Sequence, residues 1–130
     1  MAKMIRVIIL DDHIMTVDGY LVQLRNALDI QVVATLTYGD ELEPTLARSP
    51  ADVLLLDVGV PNNADDRNPY PIWYLIPKLL GQYSGLAALI ISMHDQPGLI
   101  DRALEVGVSG YILKSDQEAY RNLAEIVRRI

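Results

Sequence analysis

The chain of 130 residues lacks cysteine, long hydrophobic runs and any excess of positive charge. Without cysteine it has no disulfide framework, and this composition fits a reducing compartment. Its apolar stretches are too short for a signal-peptide core or a transmembrane span, so we expect a cytoplasmic protein with no membrane association. The 11 Lys and Arg residues against 17 Asp and Glu give a net charge of -6, which argues against direct nucleic-acid binding by this segment.

The chain does have enough apolar residues to build one hydrophobic core. Hydrophobic residues make up 51% of the sequence. A domain of this length buries most of its apolar side chains without a disulfide or a structural metal. We therefore expect residues 1–130 to form a single domain.

Short apolar runs alternate along the chain with segments of helical periodicity. The β-branched and leucine-rich runs predict buried strands of a parallel sheet at about 4–10, 30–36, 53–56, 87–91 and 110–113. Five helices are predicted to follow these strands, the first carrying an apolar stripe of Ile14, Val17, Leu21, Leu24 and Leu28. This alternation predicts right-handed crossovers and a three-layer α/β sandwich around a doubly wound sheet.

Four of the predicted strands run directly into polar residues. These residues are Asp11 and Asp12 after the first strand, Asp57 after the third, Ser92 after the fourth and Lys114 after the fifth. Because the carboxyl ends of parallel strands emerge at one edge of a sheet, we expect these side chains to meet in one crevice. Three carboxylates there would repel one another without a cation, and Mg²⁺ prefers oxygen ligands of this kind. The alternative is that the aspartates merely cap the following helices, but their companion residues argue against it.

Four segments around these residues carry a resemblance to a known family. They are ILDDH at 9–13, LLDVGVP at 55–61, IISMHD at 90–95 and ALEVGVSGYILK at 103–114. In this order and spacing they resemble the receiver domain of bacterial two-component response regulators over the whole chain. The DDH, SMHD and GYILK stretches are most similar to the NarL/FixJ subfamily, which usually joins the receiver to a helix-turn-helix DNA-binding domain.

The resemblance implies a fold and a phosphoacceptor site. It implies a flavodoxin-like five-stranded sheet in the order 2-1-3-4-5 with five helices. Asp57 would accept a phosphoryl group from a sensor histidine kinase, by nucleophilic attack of its carboxylate. Asp12, Asp57 and the backbone carbonyl of Gly59 would bind Mg²⁺ directly, and Asp11 would bind it mainly through water. Such a protein catalyses its own phosphorylation and dephosphorylation but is not a metabolic enzyme.

The resemblance also implies a conformational switch. Lys114 and Ser92 would bond the phosphoryl oxygens, and Tyr111, expected beside Ser92 on the adjacent strand, would be the switch aromatic. Their movement would change the surface of the fourth helix, fifth strand and fifth helix, and that surface is a possible homodimer interface. The output would be transcription through a DNA-binding domain that lies outside residues 1–130, so we expect either an excised receiver or a stand-alone one.

Leu99, Ile100 and the face around Tyr120 are candidates for that dimer surface, but the same positions are equally plausible as core residues.

Three other functions fit the pattern less well. A receiver-like interaction module that switches without phosphorylation need not retain all five polar residues at the strand ends. A Mg²⁺-dependent phosphohydrolase would need an aspartate two residues after the nucleophile, where this chain has Gly59. A flavodoxin-like FMN carrier would need a phosphate-binding loop rich in Ser, Thr and Gly after the first strand.

The chain departs from the family pattern at two places. Residues 62–70 form a longer connection than the usual short turn after the third strand. Many receivers have a cis proline after the site lysine, whereas Ser115 follows Lys114 here, and the geometry of that bond is left open. His13 and His94 also follow strand ends, and we interpret them as helix-start or loop residues rather than metal ligands.

Overall fold

The computed structural model describes residues 3–130, and within them five parallel strands form one sheet. The strands are β1 (Ile5–Leu10), β2 (Ile30–Leu36), β3 (Val53–Leu56), β4 (Ala87–Ser92) and β5 (Gly110–Leu113). Their spatial order is β2-β1-β3-β4-β5. The predicted strands and the predicted sheet order are therefore confirmed.

Six helices cover the two faces of this sheet in the part of the chain that the structure describes. They are α1 (Ile14–Leu24), α2 (Leu42–Arg48), α3 (Ile72–Gln82), α4 (Pro97–Glu105), α5 (Gln117–Arg121) and α6 (Leu123–Arg129). A 3-10 turn at Gly39–Glu41 precedes α2. The final helix, expected as one, is divided because the backbone at Asn122 has φ -103° and ψ 19°. None of the helices between residues 3 and 130 has the length and apolar character to cross a membrane.

The sheet separates two apolar layers because successive side chains of a strand point to opposite faces. One layer combines even-numbered residues of β1, β3 and β4 with α2, α3 and α4, and includes Ile8, Leu10, Leu54, Leu56, Ile90, Leu42, Leu46, Ile76, Leu79 and Ala103. The other combines odd-numbered residues of the same three strands with α1 and α6, and includes Val7, Ile9, Leu55, Ile91, Tyr20, Leu24, Leu123 and Val127. The predicted three-layer sandwich is confirmed.

The buried face of α1 differs from the predicted stripe. Tyr20 and Leu24 are buried, whereas the side chain of Leu28 is 91% exposed because α1 ends at Leu24. Ile14, at the first turn of α1, is also exposed. The helix therefore presents an apolar residue to solvent beside the carboxyl edge of the sheet.

The long connection after β3 folds into a compact unit, which we call the β3–α3 hairpin (residues 61–69). Pro61 and Pro69 form an antiparallel bridge, and the Asn62 backbone N–H donates to the carbonyl of Asn68 at 3.0 Å. The hairpin packs against the 3-10 turn, where the Gly39 N–H donates to the Pro61 carbonyl at 3.0 Å. The ring of Tyr70, just after the hairpin, is buried against Gly39.

Candidate functional site

Strand register brings the polar strand ends to one edge of the sheet. Leu10 pairs with Leu56, so Asp11 and Asp57 leave neighbouring strands side by side, and the Asp57 N–H donates to the Leu10 carbonyl at 2.9 Å. On the other side of β3, the Lys114 N–H donates to the Ser92 carbonyl at 2.8 Å. The convergence that the sequence predicts is thus produced by the two central strands and their neighbours.

Three carboxylates and one imidazole form a tight cluster at this edge. Asp11, Asp12, His13 and Asp57 each offer one ligand atom, and these four atoms lie within 4.8 Å of one another. Asp11 and Asp57 are buried, with 4% and 5% of their surfaces exposed, and Asp12 is partly exposed. An acidic group of this density in a buried position favours a bound cation.

Lys114 supplies a positive charge to the cluster. Its Nζ lies 3.1 Å from Asp11 Oδ2 and 3.3 Å from Asp57 Oδ1, and its side chain is 16% exposed. The ammonium therefore bridges the two buried carboxylates from one side of the pocket. The peptide bond from Lys114 to Ser115, left open by the sequence, is trans.

Burial and neighbouring charges raise two pKa values at this edge of the sheet. Burial, followed by the charge of Asp11, raises the pKa of Asp57 to about 6, while Lys114 and His13 oppose the shift. Burial, followed by the charges of Asp11 and Asp57, also raises the pKa of the Tyr20 phenol. Burial is the largest cause of both shifts, and the charge of Asp11 adds to each of them.

The donor set fits a hard divalent cation such as Mg²⁺. Asp11 Oδ2 is buried without an aligned hydrogen bond, although Lys114 Nζ lies 3.1 Å away. Carboxylate oxygens from Asp11, Asp12 and Asp57 share one pocket, and oxygen is the ligand that Mg²⁺ prefers. These residues therefore suit the metal site of a receiver domain.

Gly59 follows Asp57 by two residues and turns the chain away from β3. Its φ of +91° lies in the left-handed region, which favours glycine, and the residue is exposed. Its carbonyl group as a metal ligand stays a prediction.

His13 lies within the cluster, although its place after a strand end was interpreted above as that of a helix-start residue rather than a metal ligand. Its backbone N–H donates to Asp11 Oδ1 at 2.8 Å, and its Nδ1 lies 3.1 Å from the same oxygen. The ring nitrogen is also 3.4 Å from Asp12 Oδ1 and 3.7 Å from Asp57 Oδ2. The sequence contains a local signal for this position. An aspartate side chain often accepts a hydrogen bond from the backbone N–H of the second residue after it, which brings that residue close to the carboxylate. His94, the other strand-end histidine, is exposed.

The predicted switch residues meet on the backbone of His94 rather than on each other. The His94 N–H donates to Ser92 Oγ at 3.0 Å, and the Tyr111 hydroxyl donates to the His94 carbonyl at 2.6 Å. Tyr111 pairs in register with Ile90, so it lies two positions before the residue opposite Ser92. Tyr111 and Ser92 share one face of the sheet, and both hold the loop after β4.

The residues proposed for a dimer surface divide between surface and core. Leu99 and Ile100 are half-buried on α4. Tyr120 packs against the α1 layer, where its hydroxyl donates to the Gly19 carbonyl at 3.1 Å. Tyr120 therefore contributes to the attachment of α5 to α1.

The 2-1-3-4-5 parallel sheet and its Asp-Asp, Asp, Ser and Lys strand ends define a protein of the signal-receiver class. No family model matches the chain. Among curated proteins it is 31% identical over 111 residues to the transcriptional regulatory protein UhpA of Salmonella typhimurium, covering 85% of this chain and 52% of UhpA. It is 28% identical over 119 residues to the oxygen regulatory protein NreC of Staphylococcus epidermidis, covering 92% and 52%.

Solved structures show the same fold. The receiver domain of the stress response regulator RcsB from Escherichia coli has a TM-score of 0.81 at 23% identity, covering 97% of this chain and 92% of that one. The signal receiver domain of the putative response regulator NarL from Mycobacterium tuberculosis has a TM-score of 0.78 at 23% identity, covering 97% and 98%. The chain belongs to the receiver domains of NarL/LuxR-type response regulators. It spans about half the length of the curated relatives it matches.

Proposed function

We propose that this domain is a phosphoacceptor switch in which Asp57 takes a phosphoryl group from a sensor histidine kinase in a Mg²⁺-dependent reaction. The observation that carries the proposal is the surrounding of Asp57. Its buried carboxylate lies 3.3 Å from the Lys114 ammonium and within one ion's reach of the Asp12 carboxylate. A nucleophile, a metal pocket and a fixed cation are the parts that phosphoryl transfer requires.

The transfer exchanges one bond to phosphorus for another. A carboxylate oxygen of Asp57 attacks the phosphorus, the P–N bond to the kinase histidine breaks, and the imidazole leaves with the bonding electrons and takes up a proton. Asp12, Asp57 and the Gly59 carbonyl would hold Mg²⁺, with Asp11 contributing through water. The ion would neutralise charge shared by the attacking and transferred oxygens. Lys114 would pair with a second phosphoryl oxygen.

The ionisation of Asp57 suits this role at neutral pH. Its pKa, raised to about 6, leaves the carboxylate mostly ionised at pH 7. The same burial removes water that would otherwise solvate the nucleophile, while Lys114 keeps the charged form accessible. Asp57 is therefore both charged and poorly hydrated.

The switch begins at Ser92. A phosphoryl oxygen would accept a hydrogen bond from the Ser92 hydroxyl, and turning the side chain towards it would strain the bond that Oγ accepts from the His94 N–H. The Tyr111 hydroxyl holds the His94 carbonyl, so a displaced loop also releases Tyr111. We place the resulting change at α4, β5 and the helices after them, where it would control a homodimer and transcription through a DNA-binding domain of a longer, cytoplasmic protein.

An apolar patch beside the pocket offers a contact for the kinase. Ile14 and Met15, at the start of α1, have 74% and 88% of their surfaces exposed. They follow His13 directly in the chain, so a partner that covers them also reaches the pocket mouth. Exposed large apolar residues next to a reactive group are typical of a docking surface.

Phosphorylation by a small donor tests the proposal without knowledge of the kinase. The domain is incubated with acetyl phosphate and Mg²⁺, and its intact mass is measured. We expect an increase of about 80 Da, one transferred phosphoryl group, which Asp57→Asn abolishes and Asp65→Asn retains. Asp65 is a matched control because it is an exposed aspartate of the β3–α3 hairpin.

Two results would contradict the proposal. One is an adduct of equal size in Asp57→Asn, and the other is equal labelling when Mg²⁺ is replaced by a chelator. A wild-type domain that gains no mass would instead favour a receiver-like interaction module that works without phosphate.

A further inference from the structure

We infer that His13 is a ligand of the metal pocket and that it extends the pocket's range from Mg²⁺ to borderline divalent ions, with Zn²⁺ the preferred one. The inference rests on the proposed function, because it concerns the same pocket. It adds an imidazole nitrogen to a set of protein ligands otherwise made of oxygens.

The spacing of His13 is that of a vertex in a coordination shell. Its Nδ1 lies 3.1, 3.4 and 3.7 Å from oxygens of Asp11, Asp12 and Asp57. Ligand atoms bound at about 2.1 Å to one tetrahedral ion lie about 3.4 Å apart, and about 3.0 Å apart around an octahedral one. One oxygen from each of three carboxylates thus stands at ligand-to-ligand distance from a single ring nitrogen.

The contacts of this nitrogen make opposite demands on its proton. A carboxylate at 3.1 Å needs Nδ1 to carry a hydrogen, whereas Lys114 Nζ at 3.4 Å has only donors and needs the lone pair. One tautomer satisfies one side and not the other. A metal ion that accepts the lone pair neutralises the carboxylates, and Lys114 keeps its contacts with Asp11 Oδ2 and Asp57 Oδ1. The ion would also compensate the charge of the buried Asp11 carboxylate, whose Oδ2 has no aligned hydrogen bond.

The position of His13 gives an ion access to the pocket. The bond from its own N–H to Asp11 Oδ1 fixes the residue at the start of α1. The side chain is 55% exposed, so the ion and its waters enter from solvent without unfolding the edge of the sheet. A ligand at the mouth of a buried carboxylate pair completes the site from outside.

The ring nitrogen of His13 determines which ions bind more tightly. Mg²⁺ takes oxygen ligands, keeps several waters and gains little from imidazole. Imidazole suits Zn²⁺ and its neighbours in the first transition row, which bind mixed nitrogen and oxygen sets more tightly. His13 should therefore raise the affinity for Zn²⁺ and leave that for Mg²⁺ nearly unchanged.

Calorimetric titration with Zn²⁺ alone and with Mg²⁺ alone tests this selectivity in the wild-type domain, His13→Asn and His94→Asn. We expect His13→Asn to weaken Zn²⁺ binding at least about tenfold and to change Mg²⁺ binding less than about twofold. His94→Asn should change neither. His94 is the matched control because it also follows a strand end and is exposed.

Pulsed electron paramagnetic resonance of bound Mn²⁺ is an independent test, because it detects a directly bound imidazole without a measurement of affinity. We expect nitrogen coupling from a directly bound imidazole in the wild-type domain and in His94→Asn, and its loss in His13→Asn. Absence of nitrogen coupling in the wild type would overturn the inference. So would an equal loss of Zn²⁺ and Mg²⁺ affinity in His13→Asn, or an unchanged Zn²⁺ affinity.

The failures of this inference and of the proposed function are distinguishable. If the wild type binds Mg²⁺ and accepts phosphate on Asp57 while His13→Asn leaves Zn²⁺ binding intact, only the role of His13 is wrong. If Asp12→Asn and Asp57→Asn leave the binding of both ions unchanged, the pocket is not the metal site and both proposals fall.

Discussion

The β3–α3 hairpin and the β4–α4 loop (residues 93–96) both border the sheet edge that carries Asp57, but they are held in different ways. The hairpin closes on itself through the Pro61 and Pro69 bridge and packs on a turn from a different part of the chain. The β4–α4 loop is exposed, and the backbone of its His94 is held by Ser92 and Tyr111.

This difference assigns the two loops different roles. Bonds within the hairpin do not involve the pocket, so a charge added at Asp57 leaves them intact. The β4–α4 loop depends on the Ser92 hydroxyl, which a phosphoryl group would engage. We therefore expect the β3–α3 hairpin to be a fixed rim of the pocket and the β4–α4 loop to be a movable rim, with the Asp57 carboxylate between them.

We expect a substitution at Gly39 to disturb the packing of the β3–α3 hairpin more than any other change considered below. A Cβ at this position would overlap the ring of Tyr70, which is buried and has little room to move. We expect Gly39→Ala to lower the free energy of unfolding by about 3 kcal/mol, the range for overpacking a dense site. Urea denaturation measures the loss.

Gly81→Ala is the matched control for Gly39→Ala. A Cβ at Gly81 meets nothing within 4 Å, and the residue lies inside α3. Alanine is a better helix former than glycine, so this variant should be unchanged or up to about 1 kcal/mol more stable. Equal losses in both variants would show that the Tyr70 contact does not hold the hairpin.

The carboxylate between the two rims should destabilise the fold at neutral pH. The pKa of Asp57 is raised from 3.8 to about 6, chiefly by burial, so the folded state favours the protonated acid. Its relative stabilisation is complete below pH 3.8 and is lost as the pH rises through about 6. Without metal, we expect Asp57→Asn to be about 3 kcal/mol more stable than wild type at pH 8, by the usual conversion of a pKa shift.

Urea denaturation at pH 4 and pH 8 in the presence of a chelator measures this difference. The gain from Asp57→Asn should fall to a small fraction at pH 4, where the acid is protonated in the folded state and about half protonated in the unfolded state. Added Mg²⁺ should stabilise the wild type and reduce the gain at pH 8. A gain that is the same at both pH values would show that the charge of Asp57 is not its cause.

Removing the Tyr111 hydroxyl tests whether this side chain holds the β4–α4 loop. Tyr111→Phe deletes the donor to the His94 carbonyl, and we expect a loss of about 1 kcal/mol or less. Amide hydrogen exchange should become faster in residues 93–96. Tyr120→Phe makes the same chemical change at the Gly19 carbonyl and should leave these amides unaffected. Equal protection in wild type and Tyr111→Phe would mean that Tyr111 does not hold the loop.

The sheet and its polar strand ends could be predicted from the sequence because the signals are local. Each central strand is a short apolar run that stops at a polar residue, as Leu56 and Asp57 do, and parallel strands put such ends at one edge. Leu28 shows the limit of this reasoning. It continues the apolar period of α1, but the helix ends four residues earlier and the side chain is exposed.

The rims depended on contacts between distant parts of the chain. The hairpin is held by hydrogen bonds from the 3-10 turn, such as the one from the Asp40 N–H to the Asn62 carbonyl. These are backbone contacts, so the residue types at the two positions do not predict the pairing. The place of the His13 ring depends on the carboxylates of three different residues meeting first. The position of Tyr111 opposite Ile90 followed from the register of β4 and β5, which residue spacing alone does not fix.

Beryllofluoride, a stable mimic of the phosphoryl group, probes both rims of Asp57 in one experiment. Amide resonances of the domain are compared before and after addition of beryllofluoride with Mg²⁺, with Asp57→Asn as the control. We predict large shifts at Ser92, residues 93–96 and Tyr111, little change at residues 61–69, and no response in Asp57→Asn. Equal shifts in the hairpin, or the same response without the Asp57 carboxylate, would contradict a phosphoryl switch built on one fixed and one movable rim.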